Sequence, residues 1–331
     1  MHKAENSPTA AYPSPLDAIV LAGTDSNPRR MILGKNKAFL ELGGQILVRR
    51  VVQALLDAPS IGKVFVVGPA ERLREALDGL PADVIIVEQA GKMLANTWAA
   101  IHAAEARYFA HHGSHDPERP MLFISSDLPL ISAAAVDDYV SRCAREESDS
   151  GVDYAILAGV AEESSLKLYY EDADGEGIIR PCVHFSSGLV RLANIYVGRP
   201  RKLSHQEFLQ TGFSYRKAKD WHNVMSLVWS FFRSAGGWQA AWLTLRLQAT
   251  LMLAKRKGRL YHRMKRWNTP ERVERASGTV LGGTIRIIVT PYGGLSLDVD
   301  EEEDYRILSQ QFSNWSAIGP APEHSSLLQS P

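Results

Sequence analysis

The first half of the sequence alternates short apolar runs with amphipathic helical patterns, and this alternation restricts the fold more than any other feature. The apolar runs are predicted strands, and they read DAIVLAG, KVFVVGP, DVIIVEQ and RPMLFISS. Segments between them, such as QILVRRVVQALLDAP and NTWAAIHAAEARYFAHH, carry apolar residues at helical spacing. Strands that alternate with helices pair in parallel. The pattern predicts an α/β fold with a mixed, mostly parallel sheet flanked by helices.

The second half has a more mixed pattern. Its predicted strands read YAILAGV, KLYYEDADGEGIIRP, GLVRLANIYVGRP, TIRIIVTP and GLSLDVD, and a last helix is predicted near EEEDYRIL. Residues 219–267 have a helical pattern rich in Trp, Leu and Ala. We expect one domain from residues 16–218 and 277–310, a helical insertion at 219–276, and disordered tails at 1–15 and 311–331.

Composition excludes several classes of protein. The 37 Lys and Arg residues balance 37 Asp and Glu residues, which argues against a globally basic nucleic-acid binder. Two cysteines, Cys143 and Cys182, are too few for a disulfide framework and lack metal-ligand spacing. The amino-terminal segment contains no apolar core typical of a secretory signal. We therefore expect reduced thiols and a cytoplasmic location.

The first predicted strand ends abruptly at Gly23, and two arginines, Arg29 and Arg30, follow in a small polar stretch. A glycine after a buried strand permits a tight turn whose amides can face an anion. Arginine supplies paired donors suited to phosphate oxygens. The stretch matches neither a Walker loop nor GxGxxG, so a phosphate loop and a simple surface turn are both open on the glycine alone.

Four short motifs follow one another along the chain. The first comprises Leu21-Ala22-Gly23, Arg30-Met31, Lys37-Ala38-Phe39-Leu40 and Gly43-Gly44. The later three are Gly91–Asn96, Ser125–Leu130 and Asp298–Tyr305. In this order they resemble the motifs of nucleotidyltransferases with a GT-A-like, Rossmann-like fold, of the molybdenum-cofactor guanylyl- and cytidylyltransferase-like group, and the first resembles the opening signature of that group. Thr24 replaces the second glycine of the opening signature, and the loop is longer on both sides of Arg30-Met31.

This resemblance implies a Mg²⁺-dependent enzyme that moves a nucleoside monophosphate from a nucleoside triphosphate, CTP or GTP, to a phosphorylated acceptor and releases pyrophosphate. It implies that Asp127 and Asp300 hold the metal, and that Lys37 and Arg30 neutralise the triphosphate. The remaining implied nucleotide contacts are Leu21, Ala22, Gly23, Thr24, Gly91 and Asn96. A hard cation beside fixed positive groups lowers the electrostatic barrier to attack on an anionic phosphate.

Each candidate residue has a structural alternative. Asp127 could only initiate a turn, and Asn96 could cap a helix. Asp300 could be a helix N-cap, with Asp298 taking its place as metal ligand, and Lys37 could be a solvated loop lysine. Arg29 is the alternative to Arg30. On the acceptor side, Asn194 with Arg191 or Lys202 could hold the acceptor or make structural hydrogen bonds.

The helical block contains eleven Lys and Arg residues and two Glu residues between Arg233 and Arg275. Its longest uncharged run, Ser234 to Leu245, is too short to span a bilayer. The favoured interpretation is a helical cap on the core or on a partner in a homodimer. The alternative is a surface through residues 233–275 for an anionic membrane, at its inner face, or for a lipid-linked acceptor; nucleic acid is a third and weaker choice.

Two other functions compete with nucleotidyl transfer. A glycosyltransferase could bind a nucleotide-sugar and use Asp298-x-Asp300 as its metal motif, although in such enzymes that motif usually follows the central strand. A catalytically inactive protein could retain the nucleotide pocket alone. The presence of Lys37, Asp127 and Asp300 favours an enzyme over this last alternative.

Overall fold

The structure is a computed structural model that describes residues 10–23, 31–171, 175–206, 237–254, 256 and 258–322, without the side chains of 237–240. Within these residues the strands of the main sheet are β1 Leu16–Leu21, β4 Ile61–Gly68, β5 Val84–Glu88, β6 Met121–Ser125, β7 Ile156–Glu162, β8 Val183–His184, β9 Leu189–Gly198 and β10 Ile285–Thr290. Their order in the sheet is β10-β7-β9-β6-β1-β4-β5, and β8 pairs with β9. The predicted α/β class is confirmed.

The strand β9 is the one that makes the sheet mixed. It runs antiparallel to both of its long neighbours, β6 and β7, whereas β10 and β7 are parallel, as are β6, β1, β4 and β5. The carboxyl ends of the parallel strands therefore meet at one edge of the sheet, together with the start of β9. Ligand sites of open α/β sheets form at that edge.

The helices have the bounds α1 Leu47–Leu56, α2 Ala70–Ala76, α3 Met93–His112, α4 Ala133–Ser150, α5 Glu163–Leu166, α6 Gly237–Leu253, α7 Arg259–Trp267, α8 Pro270–Leu281 and α9 Glu302–Trp315. A small hairpin, β2 Glu41–Leu42 and β3 Gln45–Ile46, precedes α1. Its turn residues Gly43 and Gly44 both have positive φ angles, 57° and 74°, which side chains disfavour. This explains the Gly-Gly pair in the opening signature.

The continuous apolar runs of the strands follow from burial on both faces of the sheet. Ala18 and Val20 of β1 pack in the core cluster beneath α1 and α4, and Ile19 packs in a separate cluster with Phe65 and Ile101 beneath α3. A third cluster joins the chain after β1 to the carboxyl-terminal segment through Ile32, Leu40, Leu42, Leu297, Val299 and Leu308. This third cluster brings the two halves of the candidate site together.

The segment α6–α8 packs on the sheet, as the helical-cap interpretation predicts. Leu243 of α6 contacts Ala276 and Val280 of α8, and Glu274 accepts a hydrogen bond from the backbone of Ile287 in β10 at 2.8 Å. The helix α8 continues to Leu281, beyond the predicted return to the sheet domain at residue 277. The predicted division into domains stays a prediction, and residues 219–236 of the block lie outside the described residues. Within the described part of the chain, none of the helices has the length and apolar character needed to span a bilayer.

Three local predictions are wrong. The segment GLSLDVD contains a 3-10 turn, Gly293–Ser296, rather than a strand, because it makes one backbone hydrogen bond to Asp127 instead of a ladder. Lys167–Tyr169 is also a 3-10 turn, which follows directly from α5. The tails are shorter than expected: Tyr12 packs against the core, and α9 extends to the buried Trp315.

Candidate active site

The site begins at the glycine turn that follows β1. The backbone N–H of Ala22 donates to Val67 at 2.9 Å, and its carbonyl accepts from the side chain of Asn36 at 3.2 Å. A Cβ atom on Gly23 would lie 2.5 Å from Nδ2 of Asn96, so a side chain at this position would require a shift of the backbone or of Asn96. Three predicted site residues in this loop, Thr24, Arg29 and Arg30, lie outside the described residues.

Asn96 holds the second predicted nucleotide loop against this turn. Its Oδ1 accepts hydrogen bonds from the backbone N–H groups of Ala90 and Gly91 at 2.7 and 2.9 Å. Asn96 is buried one turn inside α3, whose N-cap is Lys92, so the helix-cap alternative for Asn96 is wrong. Gly91 has a φ of +134°, and a Cβ built there meets no atom within 4 Å, which leaves its backbone open on that side. The structure thus brings Gly23, Gly91 and Asn96 together.

Lys37 lies at the start of a short 3-10 turn, Lys37–Phe39, that follows the glycine loop. Asn36 caps this turn by accepting from the Ala38 N–H at 3.1 Å, and the same side chain binds Ala22. The Nζ atom of Lys37 lies 3.0 Å from Oδ1 of Asp300 and 3.8 Å from Oδ2 of Asp127. Lys37 is mostly buried between these two carboxylates, and the solvated-lysine alternative is wrong.

Asp127 follows the carboxyl end of β6 and is held on two sides. Its Oδ1 accepts a hydrogen bond from the hydroxyl of Ser125, and its carbonyl accepts from the N–H of Val299 at 3.3 Å. Ser126 donates to the carbonyl of Leu21 at 2.9 Å, which joins the ends of β6 and β1. Asp127 therefore connects three segments that are far apart in sequence, which a simple turn initiator does not do.

Asp300 precedes α9 and is oriented by its backbone. The N–H groups of Asp300 and Glu301 both donate to Oδ2 of Asp304, at 3.0 and 2.7 Å. The N-cap of α9 is Glu301, which forms a capping box with Asp304, so the alternative of Asp300 as N-cap is wrong. The carboxylate of Asp300 instead faces Lys37.

Two arginines support the acidic segment that contains Asp298 and Asp304. The sequence did not predict this role for either of them. Arg180 donates from one Nη atom to Oδ2 of Asp304 at 2.6 Å and to the carbonyl of Asp298 at 3.0 Å. Arg191 lies 3.4 Å from Oδ1 of Asp298 and donates to the carbonyl of Ser296 at 2.9 Å. The capping-box spacing of Asp304 was visible in the sequence. No local pattern indicated that Arg180, 124 positions earlier, would be its partner.

The predicted acceptor residues divide between two places. Arg191 lies at the site edge, and Asn194 is buried within β9. Lys202 follows the end of β9 at the opposite edge of the sheet, where it pairs with Glu118 at 3.0 Å. Lys202 is therefore not part of this site, because β9 runs antiparallel to β6 and carries its carboxyl end away.

The electrostatics of the site centre on one ammonium group. Burial raises the pKa of Asp127, and the nearby carboxylate of Asp298 raises it further, against the opposite effects of Lys37 and Ser125. Burial alone would lower the pKa of Lys37, but the carboxylates of Asp127 and Asp300 outweigh it and the pKa is raised. Lys37 is thus a permanent cation, and the two oxygen-donor carboxylates beside it can attract a further positive charge or metal ion.

Comparison with known proteins identifies the domain in which most of these residues lie. Residues 18–169 match the family model of the MobA-like NTP transferase domain, and this match contains the glycine turn, Lys37, Gly91, Asn96 and Asp127. The fold and the domain together define a nucleotidyltransferase. Residues 18–169 of the chain thus form a MobA-like NTP transferase domain.

A hypothetical transferase from Thermus thermophilus has the same fold, with a TM-score of 0.56 and 21% identity over 88% of this chain and 99% of that chain. Weaker likenesses include the 4-diphosphocytidyl-2C-methyl-D-erythritol synthase from Anaerococcus prevotii, with a TM-score of 0.44, 8% identity, and coverage of 91% of this chain and 96% of that chain. A nucleotidyl transferase from Methanothermobacter thermautotrophicus has a TM-score of 0.43, 14% identity, and coverage of 90% and 98%. No curated protein matches the sequence significantly.

Proposed function

We propose that this nucleotidyltransferase moves a nucleoside monophosphate from CTP or GTP to a phosphorylated small-molecule or lipid-linked acceptor, with Mg²⁺ and with release of pyrophosphate. The observation that carries the proposal is the convergence of Lys37, Asp127 and Asp300 beside the glycine turn. These residues come from three segments, and the Lys37 ammonium lies between the two carboxylates.

The donor set fits magnesium. Mg²⁺ prefers hard oxygen ligands and is usually held by one or two carboxylates, while phosphates and water complete its coordination. Asp127 and Asp300 supply that number of carboxylates. Among the described residues no group of three or more His, Cys, Asp or Glu side chains could hold a metal, so phosphate and water would have to supply the remaining ligands. When bound, Mg²⁺ would neutralise phosphate charge and make the phosphorus easier to attack.

The residues of the chain have separate tasks in this proposal. The raised pKa of Lys37 keeps its side chain charged, so it can stabilise the negative charge that develops on the leaving pyrophosphate. The backbone of Leu21, Ala22, Gly23 and Gly91 lies where it can contact the nucleotide, and Asn96 keeps the two loops together. Thr24 and Arg30 belong to the same proposal on the family resemblance alone. An acceptor phosphate is ionised at neutral pH, so the transfer needs no general base.

The glycosyltransferase alternative loses support from the environment of Asp298. This carboxylate is buried and forms an ion pair with Arg191. Such an arrangement is typical of a structural carboxylate and not of half of an Asp-x-Asp metal motif. We also propose a cytoplasmic location, since both thiols, Cys143 and Cys182, are buried and unpaired with each other.

Pyrophosphate release is the direct test. The purified chain is incubated with Mg²⁺, each of the four nucleoside triphosphates, and a panel of phosphorylated acceptors. We expect release that requires Mg²⁺ and an acceptor, with CTP or GTP preferred. Cleavage of a nucleotide-sugar under the same conditions, without pyrophosphate release from any triphosphate, would contradict the proposal. A thermal-shift screen of the four triphosphates identifies the base independently of the acceptor.

A further inference from the structure

Large apolar side chains are exposed on the helical segment outside the active site. Trp242 and Met252 of α6 are 62% and 70% exposed, and Leu260 and Trp267 of α7 are 58% and 52% exposed. Single exposed apolar residues are ordinary on protein surfaces, but a set of four on two successive helices is not. These residues lie in the most basic part of a chain whose formal net charge is zero.

The helix α7 separates basic, apolar and buried residues by helical spacing. Arg259, Arg263 and Arg266 are exposed and lie four and three positions apart, so they share one side of the helix. Leu260 and Trp267, seven positions apart, form an exposed apolar strip directly beside the arginines. We call these five residues, Arg259, Leu260, Arg263, Arg266 and Trp267, the α7 face.

The positive charge of the α7 face is not neutralised within the described part of the chain. None of its three arginines forms an ion pair with a described carboxylate. Glu274, on the next helix, is turned towards the sheet and pairs with Arg286 at 3.3 Å. Arg272 lies over the ring of Trp267, with 5.1 Å from Cζ to the ring centroid, and donates to the Trp267 carbonyl at 3.2 Å. This contact fixes the indole beside the basic residues.

The opposite side of α7 is anchored near the active site. Tyr261 is buried, and its hydroxyl lies 2.8 Å from Nδ1 of His184 in β8. The fully buried Asn268 donates to the carbonyl of His184 at 3.3 Å. His184 follows Arg180, which supports the acidic segment, by only four residues, and four residues span at most about 14 Å. The buried side of α7 is therefore held at β8, close in the chain to the arginine that supports the candidate site.

We propose that the α7 face docks this protein onto anionic membranes. Arginines at such a surface are attracted by the negative lipid head groups, while Trp and Leu side chains gain by leaving water at the interface. The phosphate backbone of a nucleic acid would satisfy the arginines but would give Leu260 and Met252 no apolar environment. Docking does not depend on the proposed function. Docking could also deliver a lipid-linked phosphate acceptor to the active site, and this consequence rests on the proposed function.

Co-sedimentation of the full-length chain with vesicles tests the docking. Vesicles of phosphatidylcholine alone are compared with vesicles that also contain phosphatidylglycerol. We expect binding to the anionic vesicles only, and its decrease with added salt. The variant R259Q/R263Q/R266Q should bind about 100-fold more weakly, since each arginine near an anionic surface contributes roughly a factor of five. The variant W267A should also bind more weakly, at unchanged charge.

The matched control is R74Q/R107Q/R145Q, which removes the same charge from exposed positions on α2, α3 and α4. It should bind anionic vesicles within twofold of the wild-type chain. Equal loss in both triple variants, or no binding of the wild-type chain to anionic vesicles, would overturn the proposal. Retention on duplex DNA without vesicle binding would overturn it in favour of nucleic acid. Pyrophosphate release from the triphosphate in the presence of a water-soluble acceptor is measured in parallel, so failure of docking and failure of the proposed function are told apart.

Discussion

The active-site edge and the α7 face are both rich in charged residues, but they differ in how those charges are neutralised. At the active-site edge, Asp127 and Asp300 face Lys37, and Asp304 pairs with Arg180. All five side chains are mostly buried. On the α7 face, the arginines are exposed and no described carboxylate pairs with them.

The difference follows from solvation. A buried charge is costly unless a partner within the protein neutralises it, so the partners in the active site are fixed in position. An exposed charge costs little and remains available to a partner from outside. Substitutions at the active-site edge should therefore change chemistry, whereas substitutions on the α7 face should change only location.

The largest effect on activity is expected for Asp127→Asn. The variant keeps the shape of the side chain but loses a negative oxygen donor, so kcat should fall by about 10³-fold or more. Stability without Mg²⁺ should be unchanged or slightly higher, because the raised pKa of Asp127 indicates that its ionised form is disfavoured by burial. Pyrophosphate release and thermal melting measure the two effects. The exposed Asp78→Asn is the control, and equal activity of both variants would remove Asp127 from the site.

Lys37→Gln should lower kcat/KM by about 10²- to 10³-fold. The substitution leaves two carboxylates without their shared cation, at a cost of about 3 kcal/mol in stability. Mg²⁺ should therefore raise the melting temperature of this variant more than that of the wild-type chain. Lys63→Gln, which breaks an exposed ion pair with Asp83, is the control with the same chemical change. An identical response of both chains to Mg²⁺ would argue against a metal between Asp127 and Asp300.

Arg180→Gln should reduce kcat by about 10- to 100-fold and raise the Mg²⁺ concentration needed for half-maximal activity. Arg180 contacts Asp304, whose carboxylate orients the backbone at Asp300, and we expect it to act through position and not through the substrate. Arg180→Lys should recover part of the Mg²⁺ response. Combining Arg180→Gln with Asp304→Asn should add little beyond either change alone. Fully additive effects would show that the two residues do not act as one unit.

Gly23→Ala should raise KM for the triphosphate by about tenfold with a smaller change in kcat. The added methyl group would lie 2.5 Å from Nδ2 of Asn96, so the glycine turn and the loop at Gly91 would separate. Steady-state kinetics with varied triphosphate measure this. Gly319→Ala serves as the control, because a Cβ atom there meets nothing within 4 Å. Unchanged KM in Gly23→Ala would place the nucleotide away from this turn.

The smallest catalytic effect is expected for R259Q/R263Q/R266Q. With a water-soluble acceptor, its activity should be within twofold of wild type, and its stability within about 0.5 kcal/mol, as for ordinary surface substitutions. Kinetics and thermal unfolding in the absence of vesicles measure both. A large loss of activity in this variant would show that the α7 face takes part in catalysis. The two regions would then not have separate roles.

Much of this architecture was predictable from local pattern. The central runs of β1, β4 and β6, residues 18–21, 64–67 and 121–124, face apolar neighbours on both faces of the sheet and are apolar at every position, which makes them recognisable. Lys37, Asp127 and Asp300 were recognisable as candidates because each lies within a motif that resembles those of a known family. The antiparallel placement of β9 was not predictable, since its alternation of residues suits either direction.

By itself, the sequence determined the α/β class and the main helices and strands, and it predicted the three charged residues of the candidate site. Burial of side chains acts through periods of two or 3.6 residues, so it leaves a local signature in the chain. Only the tertiary structure decided that one lysine lies between two carboxylates, that Arg180 supports Asp304, and that the arginines of α7 face outward. These are contacts between residues up to 263 positions apart. The energy of such a contact depends on the distance between the two charges and on their solvation. Neither quantity can be derived from the identity of one residue or from its neighbours in the sequence.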